Sequence, residues 1–399
     1  MINLLTRLTG CALVAICDKD APSLAMCEKI ARETSTKVTL YPDFDGFFDH
    51  DMDAVVLANY ANEHAPYAAR LLRSGRHVLS ESVPVETLGQ AVELVEAAEQ
   101  SAAIYAYAEN CCYTPVAVEM RRLYRRGVIG EFTHGECEYV HDVESIYPDI
   151  TYGDKNHWRN NIYASFYCTH SLGPIIFITG TRPVKVVGFE TPNAETMANL
   201  GWRAGLSAME ILQMNNNATV KSLHGFLRRY PHSHWACLYG KKGMMEADRW
   251  QDEARLYLYE ESRGDVEGPV CYRPTLPPSS AANSGPAYHT GDSYMIRSFL
   301  ARIRGDDTAC DTIDVYQAMD MGLPGILAHR SICSGNTPVE VPDFRNKEVR
   351  EVYRGDNWCT NPRVAGDNLA PLCSFGSPEL PDSVYERVRR MWLAKQQKR

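Results

Sequence analysis

The sequence predicts an α/β protein in two parts: a Rossmann-type doubly wound parallel sheet, then an α+β unit on a largely antiparallel sheet. Three observations carry this. From Cys11 to Glu109, short apolar runs alternate with helical stretches, the pattern of parallel strands covered by helices. After Gly130 the apolar runs lengthen and wide loops with Gly, Pro and Asn separate them, as in an antiparallel sheet. The 399 residues also exceed what one hydrophobic core usually organises. The expected division is residues 1–110 for the parallel unit, 111–345 for the α+β unit, and 346–399 for a loop-rich tail with a final helix.

In the first unit the expected strands are Cys11 to Asp18, Lys37 to Pro42, Met52 to Asn59, His77 to Glu81 and Ala102 to Glu109. Their continuous Val, Ile, Leu and Tyr content suits strands buried on both faces. Helices are expected between them at Ser23 to Glu33, His64 to Ser74 and Leu88 to Gln100. The last places Leu88, Ala91, Val92, Val95 and Ala98 on one face, and Thr87 with Gln90 has the form of a capping box. A further helix starts at Thr114 as cap with Pro115 in its first turn, and stops at Gly127. Glu119 early and Arg121, Arg122, Arg125 and Arg126 late suit its dipole, so the arginines read as a solvated face rather than a phosphate-binding surface.

Beyond Gly130 the strand-like stretches are EFTHGECEYVHD, PVKVVGFE, ATVKSLHGFLRR and ARLYLYE. Residues 262–288 are rich in Gly, Pro, Ser and Ala and read as a long loop, Asp292 to Ile303 as a helix, and Ser383 to Gln396 as the final helix.

A dinucleotide fold carries a glycine loop after its first strand and an acidic residue about 20 positions further on that holds the ribose. Asp18 is the obvious acid, and counting back about 20 residues runs off the start of the chain. Gly10 and Gly46 form no G-x-G-x-x-G. The expectation is that the first strand and its glycine loop lie outside these residues, and that MINLLTRLTG is the first helix. Two neighbouring strands are then left with unpaired backbone groups. Asn59, His64, Glu81 and Asn110, at or just beyond the ends of later strands, are expected to join Asp18 in holding the cofactor.

Composition narrows the function. Forty-one Lys and Arg against 50 Asp and Glu give a net charge of -9, a poor footprint for nucleic acid. No apolar run approaches the roughly 20 residues of a membrane helix. Thirteen cysteines without a Cys-x-x-Cys pair fit buried thiols of a reducing compartment, so a cytoplasmic location is expected. No G-x-S-x-G or P-loop occurs, and a bound metal is not expected.

The chemistry is expected where the two parts meet. Glu109, Asn110, Cys111, Cys112 and Tyr113 leave the last parallel strand, and Glu109 reads either as a capping carboxylate or as a ligand-facing one. Tyr139 and His141 alternate on a strand and share a side; His157, Trp158 and Arg159 form a second cluster. Tyr167 and His170 are three apart and share a face if their stretch is helical. Imidazole titrates at about 6.5, and a phenol near about 10 acts as a base when a positive neighbour lowers its pKa. His170 is therefore either a proton carrier or a structural hydrogen-bonder. His232 and His234 alternate like zinc ligands, yet no Cys, Asp or third His stands beside them in sequence. Cys111 and Cys112 read as packing rather than nucleophiles.

The chain as a whole resembles the Gfo/Idh/MocA oxidoreductases. More narrowly, AENCCY (Ala108 to Tyr113), EYVHD (Glu138 to Asp142), WRN (Trp158 to Asn160) and YCTHSLGP (Tyr167 to Pro174) are similar to motifs of the NAD-dependent glycosidase branch, glycoside hydrolase family 109. The resemblance implies NAD as cofactor and a sugar or glycoside as substrate. It implies transient oxidation at C3, elimination of the aglycone, addition of water and return of hydride. Tyr167 and His170 match the family's Tyr-x-x-His and would be catalytic. Glu109, Tyr139, His141, Trp158, Arg159 and His289 would line the sugar site. His289 and Asp292, in YHTGD, either close the pocket or belong to an ordinary helix start capped near Thr290. Where the common oxidoreductases have Glu-Lys-Pro, this chain reads Glu81, Ser82, Val83, Pro84, which argues against an ordinary net sugar or inositol dehydrogenase, the alternative reading. A cofactor-free sugar- or partner-binding relic is the third. An exposed sheet face in such a fold implies a homo-oligomer.

Overall fold

The computed structural model describes residues 2–8, 10–250, 254–263, 268–277, 290–306 and 311–397. The first part runs α1 (Ile2–Leu5), β1 (Ala15–Cys17), α2 (Ala21–Glu33), β2 (Thr39–Tyr41), α3 (Phe44–Phe48), β3 (Ala54–Leu57), α4 (His64–Arg73), β4 (His77–Ser80), α5 (Leu88–Gln100), β5 (Tyr105–Tyr107) and α6 (Pro115–Arg125). The second continues with β6 (Phe132–Val140), α7 (Tyr147–Thr151), α8 (Cys168–Thr179), β7 (Pro183–Glu190), α9 (Glu195–Ala198), β8 (Ser207–Met214), β9 (Thr219–Gly225), β10 (Ser233–Gly240), β11 (Gly243–Ala247), β12 (Leu256–Glu260) and β13 (Val270–Tyr272). Then come α10 (Gly291–Ile303), α11 (Val315–Cys333), β14 (Val339–Glu340), α12 (Lys347–Glu351), α13 (Pro362–Ala365) and α14 (Asp382–Gln396).

All five expected parallel strands form, each shorter than its apolar run. They make two sheets, β1-β2 and β3-β4-β5, with parallel pairing throughout. Among the described residues no ladder joins β1 to β3, so the parallel strands form two separate sheets. The α5 cap forms as read: Thr87 Oγ1 accepts from the Gln90 amide at 3.1 Å, while Gln90 reaches one residue further back, to the Glu86 amide, at 2.9 Å. On α6 the solvated-face reading holds for Arg122, Arg125 and Arg126. Arg121 departs from it: its guanidinium is buried 3.8 Å over the Phe177 ring and 3.4 Å from Asp311.

The second sheet has nine strands in the order β13-β12-β11-β10-β6-β9-β8-β7-β14. Only β6 and β9 pair in parallel. One face carries α8 and α11. Val270–Tyr272 is a strand inside the stretch expected to be loop, and residues 264–267 and 278–289 of that stretch lie outside the described residues. Sequence periodicity missed α11 because almost every side of this helix is buried and Gly322, Pro324 and Gly325 stand inside it, leaving no polar stripe to read. The twelve cysteines among the described residues are free thiols, and no helix among those residues is long and apolar enough to cross a membrane.

Candidate active site

The first turn of α8 is held on three sides. Thr169 Oγ1 donates to Glu109 Oε2 at 2.8 Å and lies 3.0 Å from the Tyr107 hydroxyl. Ser171 Oγ is 2.7 Å from Ser222 Oγ on β9, and Ser165, just before the helix, donates to the Gly325 carbonyl of α11 at 2.8 Å. That last approach requires glycine, since a Cβ at 325 would lie 2.5 Å from the Ser165 carbonyl oxygen. Tyr167 and His170 are thus placed by tertiary hydrogen bonds, and their rings stack at 5.2 Å with an 8° tilt.

Glu109 was expected to touch a sugar. Its side chain instead has no exposed surface, and its Oε1 lies 2.7 Å from His170 Nδ1. The same oxygen accepts from the Cys111 amide at 3.3 Å, so the capping reading and the functional one are both realised. Burial works against the charge on each partner. For Glu109 it is outweighed by the charge and hydrogen bond of His170 and the bonds from Thr169 and Cys111, leaving the carboxyl below its ordinary range. For His170 it is outweighed by Glu109, which holds the imidazole above its ordinary value. Both shifts favour the charged forms, an imidazolium facing a carboxylate.

Tyr139 projects from the inner face of β6, its ring 4.7 Å from that of His170 and its hydroxyl 3.2 Å from His141 Nδ1. Directly across the ladder, β10 sets His234 opposite Tyr139. His234 Nδ1 is 3.4 Å from Cys111 Sγ, and the His232 ring is 4.2 Å from that of His141. These partners of His232 and His234 are remote in sequence, which is why spacing alone missed them; the alternation of the two histidines at the start of β10 was the available signal. Burial, with His170 and His141, pushes His234 down to about 4, so it is neutral. Burial and Glu109 push the Cys111 thiol well up, consistent with packing rather than nucleophilic work.

Arg159 sits 4.6 Å over Trp158 and 5.5 Å from the Tyr167 ring. Burial raises the Tyr167 phenol above its ordinary value, and Arg159 pulls the other way. His157, buried, lies 5.1 Å from Tyr60 and Trp158 lies 6.2 Å from it, and Tyr60 follows Asn59 in the chain. Through these ring contacts the Tyr, His and Arg cluster adjoins the crevice at the carboxyl ends of the parallel strands.

In that crevice Asp18 follows β1, Asn59 follows β3, Glu81 follows β4, and Asn110 follows β5. Asn59 and Asn110 are exposed, and Asp18 is half-buried with Oδ1 accepting from the Asp20 amide. His64 is buried, its nitrogens 3.0 Å from the Val83 carbonyl and 3.3 Å from that of Asn59, so it ties two crevice loops together rather than facing the opening. Burial raises the Glu81 carboxyl. The set fits the nucleoside side of a dinucleotide, with an acid at the ribose position. The 399 residues contain no G-x-G-x-x-G for the pyrophosphate. His289 lies outside the described residues; Thr290 caps α10 by accepting from the Ser293 amide at 3.2 Å.

Residues 2–109 match the model of the Gfo/Idh/MocA oxidoreductase family, an NAD-binding Rossmann fold. This segment resembles a Gfo/Idh/MocA nucleotide-binding domain. Over a longer span, the chain is 26% identical across 380 residues to an α-N-acetylgalactosaminidase of Bacteroides fragilis, covering 85% of this chain and 87% of the relative. It is 25% identical across 374 residues to a glycosyl hydrolase family 109 protein of Saccharopolyspora erythraea, covering 86% and 80%. Among solved structures, levoglucosan dehydrogenase in complex with NADH superposes with a TM-score of 0.69 at 14% identity, over 86% of this chain and 95% of that one. An oxidoreductase from Agrobacterium radiobacter, in complex with NAD+, L-tartaric acid and magnesium, gives 0.66 at 16%, over 85% and 95%. The matched segment thus continues into a sheet domain, and the chain shares the overall fold of these solved structures.

Proposed function

We propose that the chain is an NAD-dependent enzyme that cleaves a glycoside by transient oxidation of the sugar at C3. The observation that carries this is the Glu109–His170 ion pair with Tyr167 stacked upon it, beside a dinucleotide-type crevice. When bound there, NAD supplies the acceptor and later donor of the C3 hydride. Once C3 is a carbonyl, loss of the C2 proton expels the aglycone from C1, and water adds before the carbonyl is reduced again. His170, kept protonated by Glu109, is the proton donor of the pair. Tyr167, stacked on His170 and beside the Arg159 cation, is the second proton-handling group; burial holds its phenol above the ordinary value, so it is protonated at rest. Glu109 is a positioning residue. Tyr139, His141, Trp158 and Arg159 contact the sugar, and Asp18, Asn59, Glu81 and Asn110 hold the nucleotide, with His64 shaping the loops around it.

The glycosidase reading is favoured over net sugar oxidation by Ser82. Its hydroxyl faces the buried Glu109 carboxylate at 3.4 Å, where a lysine would compete with His170 for the same charge. His170 is left as the charged partner of Glu109. Assays of aryl glycosides with added NAD test this: release of the aryl group with no lasting rise in NADH is expected, and stoichiometric NADH would establish the dehydrogenase instead.

The division into residues 1–110, 111–345 and 346–399 remains our proposal, as does a homo-oligomer formed through the open face of the large sheet, where Phe189, Ile211 and Tyr239 are each over 40% exposed. Light scattering of the purified chain at the mass of one 44.8 kDa protomer would exclude the oligomer.

A further inference from the structure

A cleft of about 860 Å³ opens beside the catalytic cluster, with His141 and His232 on its near wall and α14 on its far side. His141 Nδ1 is 3.2 Å from the Tyr139 hydroxyl, so one wall of the cleft borders the site above. Its volume is that of a small-molecule pocket. Four cations line it, Arg228, Arg229, Arg387 and Lys395, against Asp142 and Glu144, on a chain whose net charge is -9.

Two of the cations are neutralised. Arg228 pairs with Glu144 at 2.5 Å and Lys395 with Asp149 at 3.0 Å. The other two are not. Arg387 donates only to carbonyl oxygens of Asn199, at 2.6 and 3.3 Å. Arg229 donates to the Arg249 carbonyl at 2.6 Å, lies 4.4 Å over Trp250, and keeps a buried Nε without a partner. Among the described residues neither meets a carboxylate. Asp142 already caps the Glu144 amide at 3.1 Å. Between these charges the cleft is apolar: Tyr230 is 86% exposed, and Ile146 and Met391 are exposed beside it.

An exposed aromatic ring offers a surface for the apolar face of a pyranose, and a guanidinium fork matches a carboxylate or sulfate. We propose that this cleft is the leaving-group subsite and that it takes an acidic sugar, so the substrate is a glycoside whose aglycone bears an oxyanion. The direction of the cleft rests on the glycosidase reading; binding itself needs no turnover.

Calorimetry at low ionic strength with α-1,4-digalacturonate and α-1,4-galactobiose, which differ only at the C6 carboxyl groups, tests the proposal. The acidic disaccharide should bind about tenfold tighter, and the advantage should shrink with salt. Arg387→Gln and Arg229→Gln should each reduce that advantage severalfold, with an unchanged melting temperature confirming the fold, while Tyr167→Phe should leave it intact. Arg387 is exposed on α14, so at least that variant will fold. Galactose 6-sulfate against galactose separates the oxyanions: greater discrimination there than between the disaccharides assigns sulfate, and less assigns carboxylate. Equal affinity for every acidic and neutral pair, no binding of either member, or discrimination that survives both arginine variants overturns the subsite. Tight arginine-dependent binding without glycoside cleavage would overturn the proposed function and leave the subsite standing.

Discussion

The Glu109 carboxylate lies 2.7 Å from His170 Nδ1, has no solvent-exposed surface, and is the only carboxylate hydrogen-bonded to that imidazole among the described residues. Because Glu109 is held below its ordinary value and His170 above, the pair's stabilising contribution has two limits. The Glu109 share is present above an unfolded pKa of about 4.3 and is lost as pH falls through the depressed folded value. The His170 share is present below about 6.5 and is lost as pH rises through the elevated folded value. Glu109→Gln should therefore destabilise the protein most between those limits, by about 1–3 kcal/mol. Urea unfolding of both proteins across pH checks it; a difference that does not vary with pH would show that the two groups are not an ion pair.

Removing the proton-handling groups should leave the fold alone. Tyr167→Phe and His170→Ala are each expected to lower the turnover rate by about 10²-fold or more with little change in melting temperature. Near-wild-type rates in either variant would remove that residue from the chemistry.

Thiol reactivity should follow burial. Cys271 is exposed, whereas Cys111 and Cys112 are buried and their thiols pushed well up. Mass spectrometry after brief iodoacetamide treatment should find Cys271 modified and the adjacent pair untouched until denaturant is added. Early labelling of Cys111 would make it a reactive group after all.

Gly325 links α11 to the segment that leads into α8. A Cβ there would lie 2.5 Å from the Ser165 carbonyl oxygen, so Gly325→Ala should cost about 1–3 kcal/mol of stability and lower the turnover rate by displacing Tyr167. Denaturation midpoints and steady-state rates on the same preparation would show both losses; a stable, fully active variant would mean that the contact at Ser165 does not set the site.

The parallel strands and the Thr87 cap were legible because their signals are local: continuous apolar runs and a four-residue motif. Tyr167 and His170 were singled out by their spacing together with the resemblance to a Tyr-x-x-His motif, and their rings stack at the start of α8. Glu109 was recognised, but its burial behind His170 was not, since burial depends on α8 packing over it. The pairing of His234 with Tyr139 and Cys111 depends on the β10–β6 register, which no spacing within either strand encodes. Arg121 was misread because its partners, Phe177 and Asp311, come from elements far along the chain. α11 was invisible because a helix buried on nearly all sides loses its periodicity.

The central claim is that a C3 oxidation makes the C2 proton labile during glycoside cleavage. Turnover in deuterated water followed by NMR of the released sugar tests it most directly. The account predicts deuterium at C2 of the product with no net change in NADH, and loss of that incorporation in Tyr167→Phe. Cleaved sugar that retains its C2 hydrogen through full turnover would contradict it.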